Sequence, residues 1–235
     1  MTRSSPPAPV APIAAAPVID TPRIAEAKAP SPRHAVLLVG GGDGDDAAVR
    51  EHLTRRGFAL RVVADEAATT ADAHDEDLIL ISQSVIAKNV RGKFAAEHAP
   101  IICWECGMWD DLGLARGGAQ AVHGVDSIRI DAPTHPLAAG LIGTVRVSDG
   151  PATLSAIDAD IPRAHVVASI AGSPALSALV AFDAGDQLAD GTHAPGKRVG
   201  FFLYDQGAAR VTPAGWQLLD AAIDWCVGET RKSDF

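Results

Sequence analysis

The sequence predicts an α/β domain: a doubly wound, mostly parallel sheet with a β-rich second half and a disordered or extended N-terminal arm. Three observations predict it. Continuous apolar runs, first Ala35-Val36-Leu37-Leu38-Val39, have the character of strands covered on both faces. In the first half such runs alternate with helical segments, the pattern of βαβ units with right-handed crossovers. Residues 1–33 carry Pro6, Pro7, Pro9, Pro12, Pro17, Pro22, Pro30 and Pro32, a density that excludes helix and central strand and favours extended, polyproline-like chain.

The elements follow in order. After the first strand, Gly40-Gly41-Gly42-Asp43-Gly44-Asp45-Asp46 makes a tight turn, and Asp45 or Asp46 caps a helix that runs to about Arg56 and is closed by Gly57. Val49 and Leu53 share one face of that helix. Ala59–Val63 and Asp77–Ser82 are the second and third strands. A helical stretch from Ser84 to Glu97 leads to a fourth strand over Pro100–Glu105. Further strand signals are Ser127–Ile130, Thr144–Val147, His165–Ile170 and Ala178–Phe182, some of them forming an antiparallel extension; Lys197–Tyr204 returns to the buried-strand type. Thr212 as cap and Pro213 at the first helical position open a last helix to about Val227, with Trp216, Leu219, Ile223 and Cys226 along one side.

Composition narrows the function classes. The chain is 235 residues long, 47% hydrophobic but only 5% aromatic, so its core is built from Val, Leu, Ile and Ala. A net charge of −9, with no Lys/Arg stripe, argues against nucleic acid as a partner. No apolar run has the roughly 18–20 residues a bilayer span needs, and the proline-broken start gives no recognisable signal peptide. Cys103, Cys106 and Cys226 do not suggest a disulfide framework, because their number is odd and a chain of this size stabilises itself by burial, which points to a reducing, cytoplasmic setting or a soluble assembly.

The candidate sites are few. Cys103 and Cys106 form a lone Cys-x-x-Cys without the second pair or His-x-x-x-His that zinc requires, so they read as unrelated core and loop thiols. The glycine-rich turn after the first strand has the place of a dinucleotide cradle, but Asp43, Asp45 and Asp46 would repel a pyrophosphate. A weak cation or sugar-hydroxyl site at Asp43 stays open. Trp104, Glu105, Trp109, Asp110 and Asp111 gather at the carboxyl end of the fourth strand, where open α/β sheets bind ligands. Aromatic faces beside carboxylates suit a carbohydrate or another small polar ligand, with Trp104, Trp109, Asp110 and Asp43 as its contacts. The eight histidines show no ligand spacing, and His135 before Pro136 reads as a turn hydrogen bond. Neither a metal nor a cofactor is implied.

Across residues 34–229 the chain resembles the class I glutamine amidotransferase-like superfamily, in particular its ThuA-like (trehalose-utilisation-like) branch. The residues that carry the resemblance are Val36-Leu37-Leu38-Val39-Gly40-Gly41-Gly42, Trp104-Glu105 with Asp110-Asp111-Leu112-Gly113, His135-Pro136-Leu137-Ala138-Ala139-Gly140-Leu141, Arg198-Val199-Gly200-Phe201-Phe202, Gly215-Trp216, and Ala222-Ile223-Asp224-Trp225. The resemblance implies a cysteine nucleophile on a sharp strand-to-helix elbow, with small residues two positions either side, and a histidine and a carboxylate from a later strand. Cys106, with Glu105 and Asp205, comes nearest to that set. Trp104 and Met108 occupy the positions where glycines would relieve the elbow, and Tyr204-Asp205-Gln206 offers no histidine to take the thiol proton.

The expectation is therefore a non-catalytic amidotransferase-like domain over 34–229 with a short tail at 230–235. It would serve as a structural, assembly or binding module, for example in a large protein or virus-like assembly. Residues 1–33 would dock it on a protein partner or neighbouring subunit through Val10, Ile13, Val18, Ile19 and Ile24, apolar residues a pure spacer would not need. The alternative is a degenerate ThuA-like enzyme, or a protein that binds a carbohydrate or small polar ligand.

Overall fold

Why the first-half strands are uninterrupted apolar runs is explained by the sheet they build. The computed structural model describes residue 1 and residues 35–40, 45–117, 119–158, 163–204 and 208–228. The elements lie within the unit Pro32–Phe235. The arm, the tail, Asp43 and Asp205 lie outside the described residues, and with them the expectations placed on Val10, Ile13, Val18, Ile19 and Ile24.

Strands β1 (Ala35–Val39), β2 (Ala59–Val63), β3 (Leu78–Ile81), β4 (Ile101–Cys103) and β11 (Arg198–Gly200) are parallel, in the order β2-β1-β3-β4-β11. From β11 the sheet continues antiparallel through β10 (Ser173–Phe182), β9 (His165–Ile170), β6 (Ser127–Ile130) and β7 (Gly143–Arg146). The mixed sheet, parallel first and β-rich after, is the architecture expected.

Alternate residues of β1, β3 and β4 enter two separate cores. Val36, Leu38, Leu78, Leu80 and Ile102 pack with helices α1 (Asp45–Arg55) and α3 (Pro213–Val227) through Val49, Leu53, Leu219 and Ile223. Leu37, Val39, Ile79, Ile81, Ile101 and Cys103 face the other way, onto Val90, Phe94, Met108, Trp109 and Leu114. A strand with two buried faces has no polar face to alternate with, hence the continuous runs. The Thr212 hydroxyl caps α3 by accepting from the Gly215 N–H at 3.2 Å.

The structure departs from expectation in three places. The stretch Ser84–Glu97 holds only a single α turn, α2 (Ala87–Val90), then a 3-10 turn over Arg91–Phe94; Arg91 takes φ +43° and breaks the helix there. Two strands were not foreseen, β5 (Gln120–Val125) and β8 (Ala152–Asp158), which pair with each other and, through β8, with β10. Strand β11 is shorter than the run Lys197–Tyr204, although the Phe201 N–H still donates to the Cys103 carbonyl at 2.9 Å.

Candidate functional site

The carboxyl ends of the parallel strands define one end of the sheet, and each contributes residues there. Gly40 follows β1, Ser82 and Ser84 follow β3, Trp104 to Met108 follow β4, and Phe201 to Tyr204 follow β11. This is the end at which open α/β sheets form their crevice, at the strand-order reversal beside β1.

At the reversal the protein fills the crevice with its own carboxylate. Asp46, in the first turn of α1, is 1% exposed and accepts hydrogen bonds from the Ser82 hydroxyl and from the Ser84 hydroxyl at 2.6 Å. Gly40 permits this approach: a Cβ there would lie 2.6 Å from Asp46 Oδ2 and 2.7 Å from Ser84 Oγ. Asp46 thus joins β1, β3 and α1 rather than serving only as a cap. Beside it, Asp65 takes the Ile86 N–H at 2.8 Å and the Asn89 amide at 2.9 Å, fixing the start of α2. Burial opposes its charge, and these donors outweigh burial to hold its carboxyl below the ordinary range.

Beyond β4 the backbone passes into a 3-10 turn, Cys106–Met108, whose N-cap is Glu105 with φ −80° and ψ 103°. Glu105 Oε1 accepts from the Gly107 N–H at 2.8 Å. Burial pushes the Glu105 carboxyl above its usual range, with the Gly107 N–H opposing. Cys106 is 7% exposed; burial first and the Glu105 charge second push its thiol up, against a hydrogen bond with Tyr204 that favours the thiolate. Among the described non-glycine residues positive φ occurs only at Asp75, Arg91, Ala139 and Arg163, so the end of β4 carries no strained elbow.

The expected candidates divide. Glu105, Cys106 and Tyr204 come together. Trp104 and Trp109, expected to stack on a ligand, are 2% and 0% exposed and offer no face to a sugar. The Trp109 ring lies against Gly200, where a Cβ would come within 3.0 Å of it. The Trp104 carbonyl and the Leu203 carbonyl lie 2.9 and 3.0 Å from the Ser155 hydroxyl, which ties β8 to the ends of β4 and β11. Asp110 and Asp111 are exposed. Cys103 and Cys226 are buried free thiols, the latter pushed up to about 12 by burial. His135 makes a turn hydrogen bond, its Nδ1 accepting from the Leu137 N–H at 3.2 Å. Sequence reasoning missed the Asp46–Ser82–Ser84 latch, whose signal was the Ser-x-Ser just past an apolar strand.

Two solved structures share this architecture. A protein described as a GMP synthase subunit, from Thermoplasma acidophilum, superposes with a TM-score of 0.56 over 83% of this chain and 94% of its own, at 14% identity. The chain has the class I amidotransferase-like fold. A ThuA-like protein from Bacteroides uniformis superposes with a TM-score of 0.57 over 87% of this chain and 96% of its own, at 11% identity. No protein-family model matches the chain, and no curated protein matches it in sequence. In this amidotransferase-like fold, no helix among the described residues is long and apolar enough to cross a membrane.

Proposed function

We propose that the chain is a non-catalytic amidotransferase-like module that acts by binding, docked on a protein partner through residues 1–33. The observation that carries this reading is the end of β4, where Cys106 is buried, stands on no strained elbow and has the Glu105 carboxyl beside it. A carboxylate there would bring negative charge against the oxyanion that forms when an amide carbonyl is attacked, and so raise the barrier. The Cys106 thiol is itself held protonated by burial, which withholds the nucleophile at neutral pH. The docking role of the arm rests on composition: prolines keep the segment extended and lower the entropy lost on binding, and its five apolar residues give a partner something to bury.

The test is a glutaminase assay on the full chain beside the Cys106→Ala variant. No ammonia release from either supports the reading; release by the parent that the substitution abolishes overturns it.

A second reading, a site for a small polar ligand, is favoured by Glu105 alone. A largely buried carboxyl with a raised affinity for its proton, at the carboxyl end of a parallel strand, is the kind of group that recognises a hydroxyl or amine. In that reading Glu105 takes the role that buried Trp104 and Trp109 cannot, and Glu105→Ala removes binding of the ligand while the fold persists.

A further inference from the structure

At the opposite end of the sheet, antiparallel pairing assembles three metal-ligating side chains that lie far apart in sequence. His165 opens β9, opposite Ala181 of β10. Asp183 follows the last residue of β10, and Asp186 comes one turn later. One ligand atom from each lies within 4.8 Å of the others. His165 Nε2 is 3.5 Å from Asp183 Oδ2 and 3.8 Å from Asp186 Oδ2.

These separations are long for hydrogen bonds, which close to roughly 2.7–3.2 Å. They are near the edge of a coordination polyhedron: two ligands each about 2.1 Å from a metal, at tetrahedral angles, stand about 3.4 Å apart. The carboxylates are also held in place. Asp183 to Asp186 is a closed turn: the Asp186 N–H donates to the Asp183 carbonyl at 3.1 Å, and Asp186 Oδ2 accepts from the Asp183 N–H at 2.8 Å. Gly185, at φ +89°, supplies the left-handed position this turn needs. The turn is fastened to a second segment, with the Gly185 N–H donating to the Ala194 carbonyl at 2.8 Å and the Ala194 N–H to the Asp186 carbonyl at 2.9 Å. Two carboxylates beside one imidazole, each on rigid backbone and partly open to solvent, form a prepared site with an entry path.

We propose that His165, Asp183 and Asp186 bind a first-row divalent transition cation, with water completing its coordination. The imidazole selects against Ca²⁺ and Mg²⁺, and the two carboxylates balance the charge of a dication. His135, whose ring centroid is 5.3 Å from that of His165, is not a ligand. Its Nδ1 accepts the Leu137 N–H, so in the neutral ring Nε2 carries the proton and has no lone pair for a metal.

The experiment is Zn²⁺ titration of the full chain by calorimetry, repeated on His165→Ala, Asp183→Asn and His135→Gln, with circular dichroism confirming each fold. Expected are one site per chain, at least tenfold weaker binding in the first two variants, a change of less than about threefold in His135→Gln, and no displacement by millimolar Ca²⁺. As a second readout, saturating Zn²⁺ raises the melting temperature of the parent but not of His165→Ala. Equal affinity in parent and His165→Ala, absence of a site at tens of micromolar free Zn²⁺, or displacement by Ca²⁺ each overturns the proposal.

Discussion

Two neighbouring residues at the end of β4, Glu105 and Cys106, are both buried, and both have titration consequences that can be measured. The folded state raises the pKa of Glu105, so between its ordinary value near 4.5 and the raised one the native protein holds a proton the unfolded chain has lost. Stability therefore falls as pH rises through that window. Glu105→Gln keeps an acceptor for the Gly107 N–H and removes the buried charge. It is expected to raise the melting temperature at pH 7, with the gain vanishing below about pH 4; a variant less stable than the parent at pH 7 would contradict the sign. Cys106 has the converse prediction. With its thiol buried and pushed up, alkylation by iodoacetamide at pH 7 is expected to be slow compared with an exposed cysteine and to accelerate on denaturation.

Among the elements, the joints between strands and helices are held by single polar groups, and these are where substitutions cost most. Arg198, at the start of β11, is fully buried and donates to the carbonyls of Ala95 at 3.2 Å, Ala99 at 3.1 Å and Lys197 at 3.0 Å, and to that of Glu97. It fastens the loop that delivers the chain into β4; burial lowers its pKa to about 10, which leaves it charged at neutral pH. Arg198→Met is expected to lower unfolding free energy by about 3 kcal/mol in urea denaturation, and Arg198→Lys to recover less than half, because an ammonium cannot span the carbonyls a planar fork reaches. At the other joint, Gly40→Ala places a methyl against Asp46 and Ser84 and is expected to cost about 1–3 kcal/mol. Legibility in the sequence follows the same division. The strands buried on two faces could be read directly, because burial on both sides leaves a continuous apolar run. Strands β5 and β8 could not: they pair outside the main order and carry Gly124, His123 and Ser155 among their residues. Glu105 could be read as a neighbour of Cys106, but not its burial, which depends on how the turn after β4 packs. The Asp46–Ser82 and Asp46–Ser84 pairs, 36 and 38 residues apart, and the His165–Asp183–Asp186 group exist only once the sheet has brought them together.

For the molecule as a whole, the core and the proposed docking arm make separable demands. Both core clusters are built from residues between Val36 and Val227, on the two faces of one sheet, which gives residues 34–229 the means to fold without the arm. The helices on one face are further joined by polar contacts: Arg56 reaches Asp220 at 2.8 Å and Asp224 at 2.6 Å, and the His52 ring stacks on Trp216 at 4.3 Å. Residues 1–33 add apolar side chains at Val10, Ile13, Val18, Ile19 and Ile24 that a plain tether would not require, so their contribution is expected in association rather than in folding. A chain beginning at residue 34 should then keep the parent's denaturation midpoint within experimental error and, on the proposed docking role, fail to retain any protein that immobilised full chain retains, measured by pull-down with each. Replacing the five apolar residues by serine, with every proline kept, should reproduce the loss, because the prolines' restriction of the backbone remains while the apolar area is lost. If the truncated and serine-substituted chains both assemble with undiminished affinity, the arm is a tether and the docking role fails; if truncation alone abolishes assembly, the backbone of the arm rather than its side chains makes the contact.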